Sequence, residues 1–377
     1  MRAFYASKRY GDRPTKAPAG AVANFVCPRE EEPNVSESIR PAPLFIDAPA
    51  ARDRRRRAAR PTAREWRRHT ALFLLTTLTA TIAGVMLLGS SQLPEPNMPL
   101  PAHWAGYILY VPEYYLRQVG LLVHEALAHP SLLAQGLTFA CALLSILTAH
   151  EAGHYVACRR YGVDATLPFF IPAPPLFMAG TFGAFIKIKS PIPSRRALFD
   201  IGVAGPLAGF IVALPIALAG VLTLEPSRAP MLDGAIILND PPLFRLMAHA
   251  FGVNLMNTQG GPFYFAAWIG LLVTSLNLMP VGQLDGGHAT YSVFGLRLHR
   301  WMGHAAFLIV ASLAILGWHW HSSPSGFLYA VLLAVMLRLR HPQPEDDRPL
   351  DRSRLIVALL TLLVFALSFT PFPITIV

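Results

Sequence analysis

Residues 132–154 read LLAQGLTFACALLSILTAHEAGH, and this stretch decides the class of fold. Leu132 to Ala149 passes without Asp, Glu, Lys or Arg. Its length is close to the roughly 20 apolar residues a helix needs to cross hydrocarbon. The apolar run then ends on His150-Glu151-Ala152-Gly153-His154. Arg159 and Arg160 follow, marking where the helix leaves the membrane. At 1.5 Å per residue, the two histidines lie roughly 8–15 Å inside that boundary. Ionisable groups at such depth are expensive to hold there and point to function.

Ala71–Gln92, Ile201–Thr223, Pro262–Leu284 and the shorter Leu355–Thr370 are equally free of charge. Gly303–Trp318 and Gly326–Leu337 form a pair divided by His319–Ser325, which predicts a tight hairpin. Hydrophobic residues make up 53% of the 377 and charged residues 14%, well below the ~25% charged of ordinary globular chains. An all-α polytopic membrane protein of about seven transmembrane helices is expected. A small β-hairpin is expected beside the site, where Ala165–Lys189 alternates β-prone runs with Pro and Gly.

Charge sets the orientation. Sixteen of the 32 Lys and Arg lie in the first 70 residues, and thirteen more fall in loops on the same side of the seven expected spans. The opposite loops hold only Arg117, Arg228 and Arg245. Basic loops stay cytosolic, so the N-terminus is placed inside. Residues 1–68 lack an apolar segment of signal-peptide type and are expected to form a basic, mostly disordered cytosolic tail. A nucleic-acid partner is not expected, because basic residues directly before a span serve to orient it. The remaining divisions are 69–130, a first span with an interfacial segment; 131–295, the core carrying the chemistry; and 296–377, C-terminal helices. Trp104–His124 and Phe244–Met256 are assigned to the membrane interface. Composition suggests a bacterial inner membrane.

Two histidines four apart share one face of a helix and can hold one zinc ion, and Glu151 beside the first can reach its water. A similar-looking pair, His124 and His129, is five apart. Its rings point about 140° from each other, so it is set aside. The three cysteines, Cys27, Cys141 and Cys158, form no paired ligand motif. A catalytic zinc wants three protein ligands and an open position. The third candidate is Asp285, in NLMPVGQLDGGH at 277–288, where Pro280, Gly282, Gly286 and Gly287 break a helix on the inner face. Broken backbone at that depth is tolerated where it lines protein or a water-filled cavity. Asp285 alone is also compatible with a helix C-cap or a turn residue, and its pairing with the histidines on the same side favours the ligand. His288 is compatible with a supporting role or with a polar membrane surface.

HEAGH at 150–154 and NLMPVGQLDGG at 277–287 together resemble the site-2 proteases, a family of intramembrane zinc metalloproteases. GTFGAF at 180–185 and AGPLAGF at 204–210 look like that family's intervening elements. The resemblance covers residues 130–295. With no insert of PDZ size after Phe210, it is nearer the PDZ-less branch that includes the chloroplast ethylene-dependent gravitropism-deficient type. It implies hydrolysis of peptide bonds in transmembrane substrates within the lipid bilayer, with one zinc per chain on His150, His154 and Asp285. Glu151 is implied as base and Asn277 as donor to the developing oxyanion; Asn277 equally fits a hydrogen bond between helices. A prenyl-protein endopeptidase would need a later Glu as third ligand, and neither Glu225 nor Glu345 is suitably placed. A proteolytically inactive, scaffolding relative is the alternative reading; a metal transporter would want carboxylates along several helices.

Overall fold

The computed structural model describes residues 60–89, 96–174, 177–226, 236–256, 258–339 and 341–376. The expected N-terminal tail lies outside them as far as residue 59, as does Cys27. Helix α1 (Ala63–Gly89) opens with a reciprocal cap. Thr62 N–H donates to the Glu65 carboxylate at 2.8 Å, and Glu65 N–H donates to Thr62 Oγ1 at 3.2 Å. Arg64, Arg67 and Arg68 therefore belong to the helix and not to the tail. Helix α2 (Tyr107–Ala128) follows, then α3 (Pro130–Arg160), which starts on a proline that has no N–H to leave unpaired. The two are separated at His129, so His124 and His129 never share a helical face. His129 Nε2 instead meets Glu125 Oε2 at 3.3 Å.

Strands β1 (Phe169–Pro172) and β2 (Thr181–Phe185) form the expected antiparallel hairpin. Helix α4 (Arg195–Leu222) starts where Ser194 Oγ accepts from Ala197 N–H. Beyond it come β3 (Glu225–Pro226), β4 (Ile236–Leu238), α5 (Pro242–Phe251) and β5 (Thr258–Gln259). The chain ends with α6 (Pro262–Asn277), α7 (Asp285–His321), α8 (Ser325–Arg338), α9 (Arg352–Ser368) and β6 (Ile374–Ile376). Two further small antiparallel pairs, β3 with β5 and β4 with β6, tie loops together.

The count of spans differs from expectation. Among the described residues, four helices are long and apolar enough to cross a membrane: α1, α3, α4 and Asp285–Trp320 of α7. Helices α6 and α8 are apolar but shorter, at 16 and 14 residues. The expected span Pro262–Leu284 is not continuous, since α6 stops at Asn277 and the chain turns through residues 278–284. Asp285 is consequently the first residue of the next helix. The expected Gly303–Trp318 span is the far part of α7, which is interrupted at Gly295 (φ 79°, ψ 174°). Phe244–Met256 is realised as the short α5, whose Leu243, Phe244 and Ala248 are buried in the main core.

That core is the packing of α3, α4 and α6. Phe139, Leu143, Ile146, Trp268 and Leu271 are fully or almost fully buried in it. Apolar lipid gives helices little hydrophobic reason to associate, so close van der Waals contact must supply it. Helix α4 meets that need with a buried stripe of Gly202, Gly205, Gly209, Ala213, Ala217 and Gly220. At Gly153 of α3 a Cβ would collide with the Ala204 carbonyl of α4, so small residues set this approach. Outward faces carry leucines instead, such as Leu74 and Leu78 of α1 and Leu359 and Leu362 of α9, all exposed.

The polar ends of these helices gather on one side. Arg354 at the start of α9 binds Asp200 of α4 through two hydrogen bonds, Nε at 2.9 Å and Nη2 at 2.6 Å. Tyr161, just past α3, donates its hydroxyl proton to the same carboxylate. Arg195 Nε donates to the Ser292 carbonyl at 2.7 Å. A strap between α8 and α9 runs over this end, held where Glu345 N–H donates to Ile192 O and Arg195 N–H to Asp346 O. The end of α3, the start of α4, the end of α6 and the start of α7 thus converge under one strap.

Candidate metal centre

At that convergence the three expected ligands meet. His150 Nε2 and His154 Nε2 are 3.1 Å apart, and Asp285 Oδ2 lies 3.2 Å from the first and 3.3 Å from the second. All three side chains are largely buried. The i, i+4 spacing on α3 brings the two rings together. The turn at residues 278–284 delivers the carboxylate at the head of α7. His154 Nδ1 lies 2.7 Å from the Ile201 carbonyl, which only accepts, so that nitrogen carries the proton and Nε2 offers its lone pair.

The fit to a metal can be tested on these distances. Tetrahedral zinc with bonds of 2.0–2.1 Å separates its ligand atoms by about 3.3–3.4 Å. The observed triangle of 3.1–3.3 Å matches one face of that tetrahedron. The donor set, two imidazoles and one carboxylate, suits zinc and leaves a fourth position for water. Gly205 of α4 makes room for the cluster, because a Cβ there would overlap His154 Nε2 itself.

Glu151 is buried and lines the same cavity of about 590 Å³ as the three ligands. The backbone amide of Ile186 faces its carboxylate across that cavity. Asn277, at the end of α6, places its amide nitrogen 3.5 Å from His150 Nε2. All five residues singled out in the sequence are therefore brought to one place.

The β-hairpin presents an edge to this cavity. Just past β2, Lys187 turns its backbone toward the segment that leads into β1: its N–H donates to Thr166 Oγ1, and its carbonyl accepts from Thr166 N–H. By the alternation of a strand, the backbone groups of Ile186 and Ile188 face the other way, and both residues line the cavity. β2 pairs with β1 alone among the described strands.

The structure adds residues that the sequence reading missed. His341 of the strap hydrogen-bonds His288, and Pro342 and Gln343 line the cavity. No local motif marks His341, and its approach depends on α8 and α9 turning back over the site. The roles of Gly205 and of the Ile201 carbonyl are equally tertiary. Cys158 is buried and Cys141 exposed, and neither is in the metal cluster.

Comparison with known proteins agrees with this geometry. Residues 138–316 match Peptidase family M50. The chain is 29% identical over 273 residues to the probable zinc metalloprotease EGY2, chloroplastic, of Arabidopsis thaliana, covering 69% of this chain and 46% of that protein. It is 35% identical over 172 residues to the probable zinc metalloprotease EGY1, chloroplastic, of Oryza sativa subsp. japonica, covering 42% and 28%. A match to EGY1 of Arabidopsis thaliana reaches 33% over 193 residues, 48% of this chain and 34% of the relative. The chain thus spans less than half the length of these relatives. No solved structure matches it. The relatives are named as chloroplastic, which lends no support to the expected bacterial inner membrane.

Proposed function

From the match of residues 138–316 to Peptidase family M50, we propose that the chain is a site-2 protease, a zinc-dependent protease of membrane-embedded peptide segments. The observation that carries the reading is the 3.1–3.3 Å triangle of His150, His154 and Asp285 with Glu151 beside it, at the ends of apolar helices. We assign seven crossings, with α6, α8 and α9 joining the four longer helices; the 29 basic residues on one side against three on the other support this.

Held by His150, His154 and Asp285, zinc would supply Lewis acidity to the scissile carbonyl and to the attacking water near neutral pH. Glu151 takes a proton from the attacking water and later gives it to the leaving amine. Asn277 donates a hydrogen bond to the carbonyl oxygen as negative charge develops on it. The ring of His154 is held in its ligating tautomer by the Ile201 carbonyl. A helical substrate hides its carbonyls in its own hydrogen bonds, so it must be drawn out before hydrolysis. The Ile186–Ile188 edge can hold it extended by adding it as a strand.

The test is metal dependence. Purified protein is expected to contain about one zinc per chain. Its cleavage of a reconstituted single-span substrate should cease with a zinc chelator and return on zinc addition. Zinc-free protein that cleaves at full rate would contradict the reading.

A further inference from the structure

His288 lies one turn past Asp285 and lines the catalytic cavity, yet it belongs to neither the metal triangle nor the proton transfer. Its hydrogen bonds fix what it can offer. His341 Nδ1 is 2.8 Å from the Pro342 carbonyl, which accepts only, so this nitrogen must carry the proton. In the neutral ring, His341 Nε2 is then a lone pair. His288 Nδ1 stands 2.9 Å from it and must donate. His288 Nε2 is left as a lone pair. The chain of donors runs from His288 through His341 to the Pro342 carbonyl.

The surroundings keep His341 neutral. Its ring stacks on Tyr291 at 4.4 Å and 13°, and edges onto His299 at 5.0 Å and His288 at 4.9 Å. Burial, then the neighbouring His288 and His299, lowers its pKa to about 3. A neutral His341 presents the same acceptor to His288 throughout the physiological range.

The cavity gives an acceptor a task. Its hairpin wall packs on α1 and α3, and its α7 wall packs on α4 and α8. An extended peptide paired on the hairpin edge satisfies only alternate backbone groups, and its second edge faces away from the hairpin. At membrane depth an unpaired N–H on that second edge is costly. We propose that His288 is a substrate-binding residue whose Nε2 accepts a backbone N–H from the outer edge of the extended substrate, with His341 as the positioning residue that fixes its tautomer. The proposal rests on the protease reading above.

Two amide substitutions separate the nitrogens of His288. His288→Asn keeps a donor near Nδ1 and removes Nε2, whereas His288→Gln places an oxygen near Nε2. With a reconstituted single-span substrate, His288→Asn is expected to raise KM about ten- to a hundred-fold. Its kcat should stay near wild type and its zinc content unchanged, and His288→Gln should recover most of the loss. Nitrogen NMR of histidine-labelled wild type is expected to report an unprotonated Nε2 on His288. Wild-type kinetics in His288→Asn, equal losses in both variants, or a protonated Nε2 at neutral pH would overturn the assignment. If His288→Asn does not fold, the wild-type spectrum decides alone. A wild type that cleaves no membrane substrate overturns the protease reading and this assignment with it; an active wild type matched by His288→Asn overturns the assignment only.

Discussion

Glu151→Gln is expected to reduce cleavage of a membrane substrate by about 10²–10⁴-fold, the usual contribution of a positioned general base. It should retain zinc, because Glu151 is not among the three convergent donors. The substitution is nearly isosteric, so it changes little of the volume or shape of this buried side chain. Packing of α3 against α4 should therefore survive. An amide cannot take the proton from water, so the loss should fall on kcat. Measuring zinc content and single-turnover cleavage on the same preparation checks both halves. Full activity in Glu151→Gln would remove Glu151 from the chemistry.

Asp285→Ala and Gly205→Ala should each empty the metal centre, for different reasons. Asp285→Ala removes one of three donors and leaves two histidines, fewer than catalytic zinc sites use. Gly205→Ala leaves every donor in the sequence but inserts a methyl group into the space of His154 Nε2. That ring cannot swing aside without losing its 2.7 Å bond to the Ile201 carbonyl. Elemental analysis is expected to find zinc falling from about one per chain toward zero in both variants under mild chelation. Full zinc occupancy in Asp285→Ala would mean that another group completes the site. Full occupancy in Gly205→Ala would mean that α4 does not hold His154 as described.

The sequence disclosed the centre better than the architecture around it. HEAGH carries its own geometry, since an i, i+4 pair on a helix must share a face, and the structure brings both rings within 3.1 Å. Asp285 was legible through topology, because only its placement on the inner side brought it to the histidines. The spans were harder. An apolar run of 23 residues from Pro262 to Leu284 has the composition of one crossing, yet α6 ends at Asn277 because Pro280 and the glycines permit a buried turn. Hydropathy measures composition and is blind to such a break. His341 was illegible for a different reason. Its meeting with His288, 53 residues earlier in the chain, is created only when the strap folds back across the cavity.

The most direct measurement is the position of the cut. Wild-type protein reconstituted in vesicles with a single-span substrate of defined sequence can be followed by mass spectrometry of the products. The expected result is a discrete cut within or at the inner end of the substrate's membrane segment, present with zinc and absent in Glu151→Gln. Cleavage confined to the substrate's water-exposed parts, or products that persist at equal level in Glu151→Gln, would contradict a zinc protease acting inside the membrane.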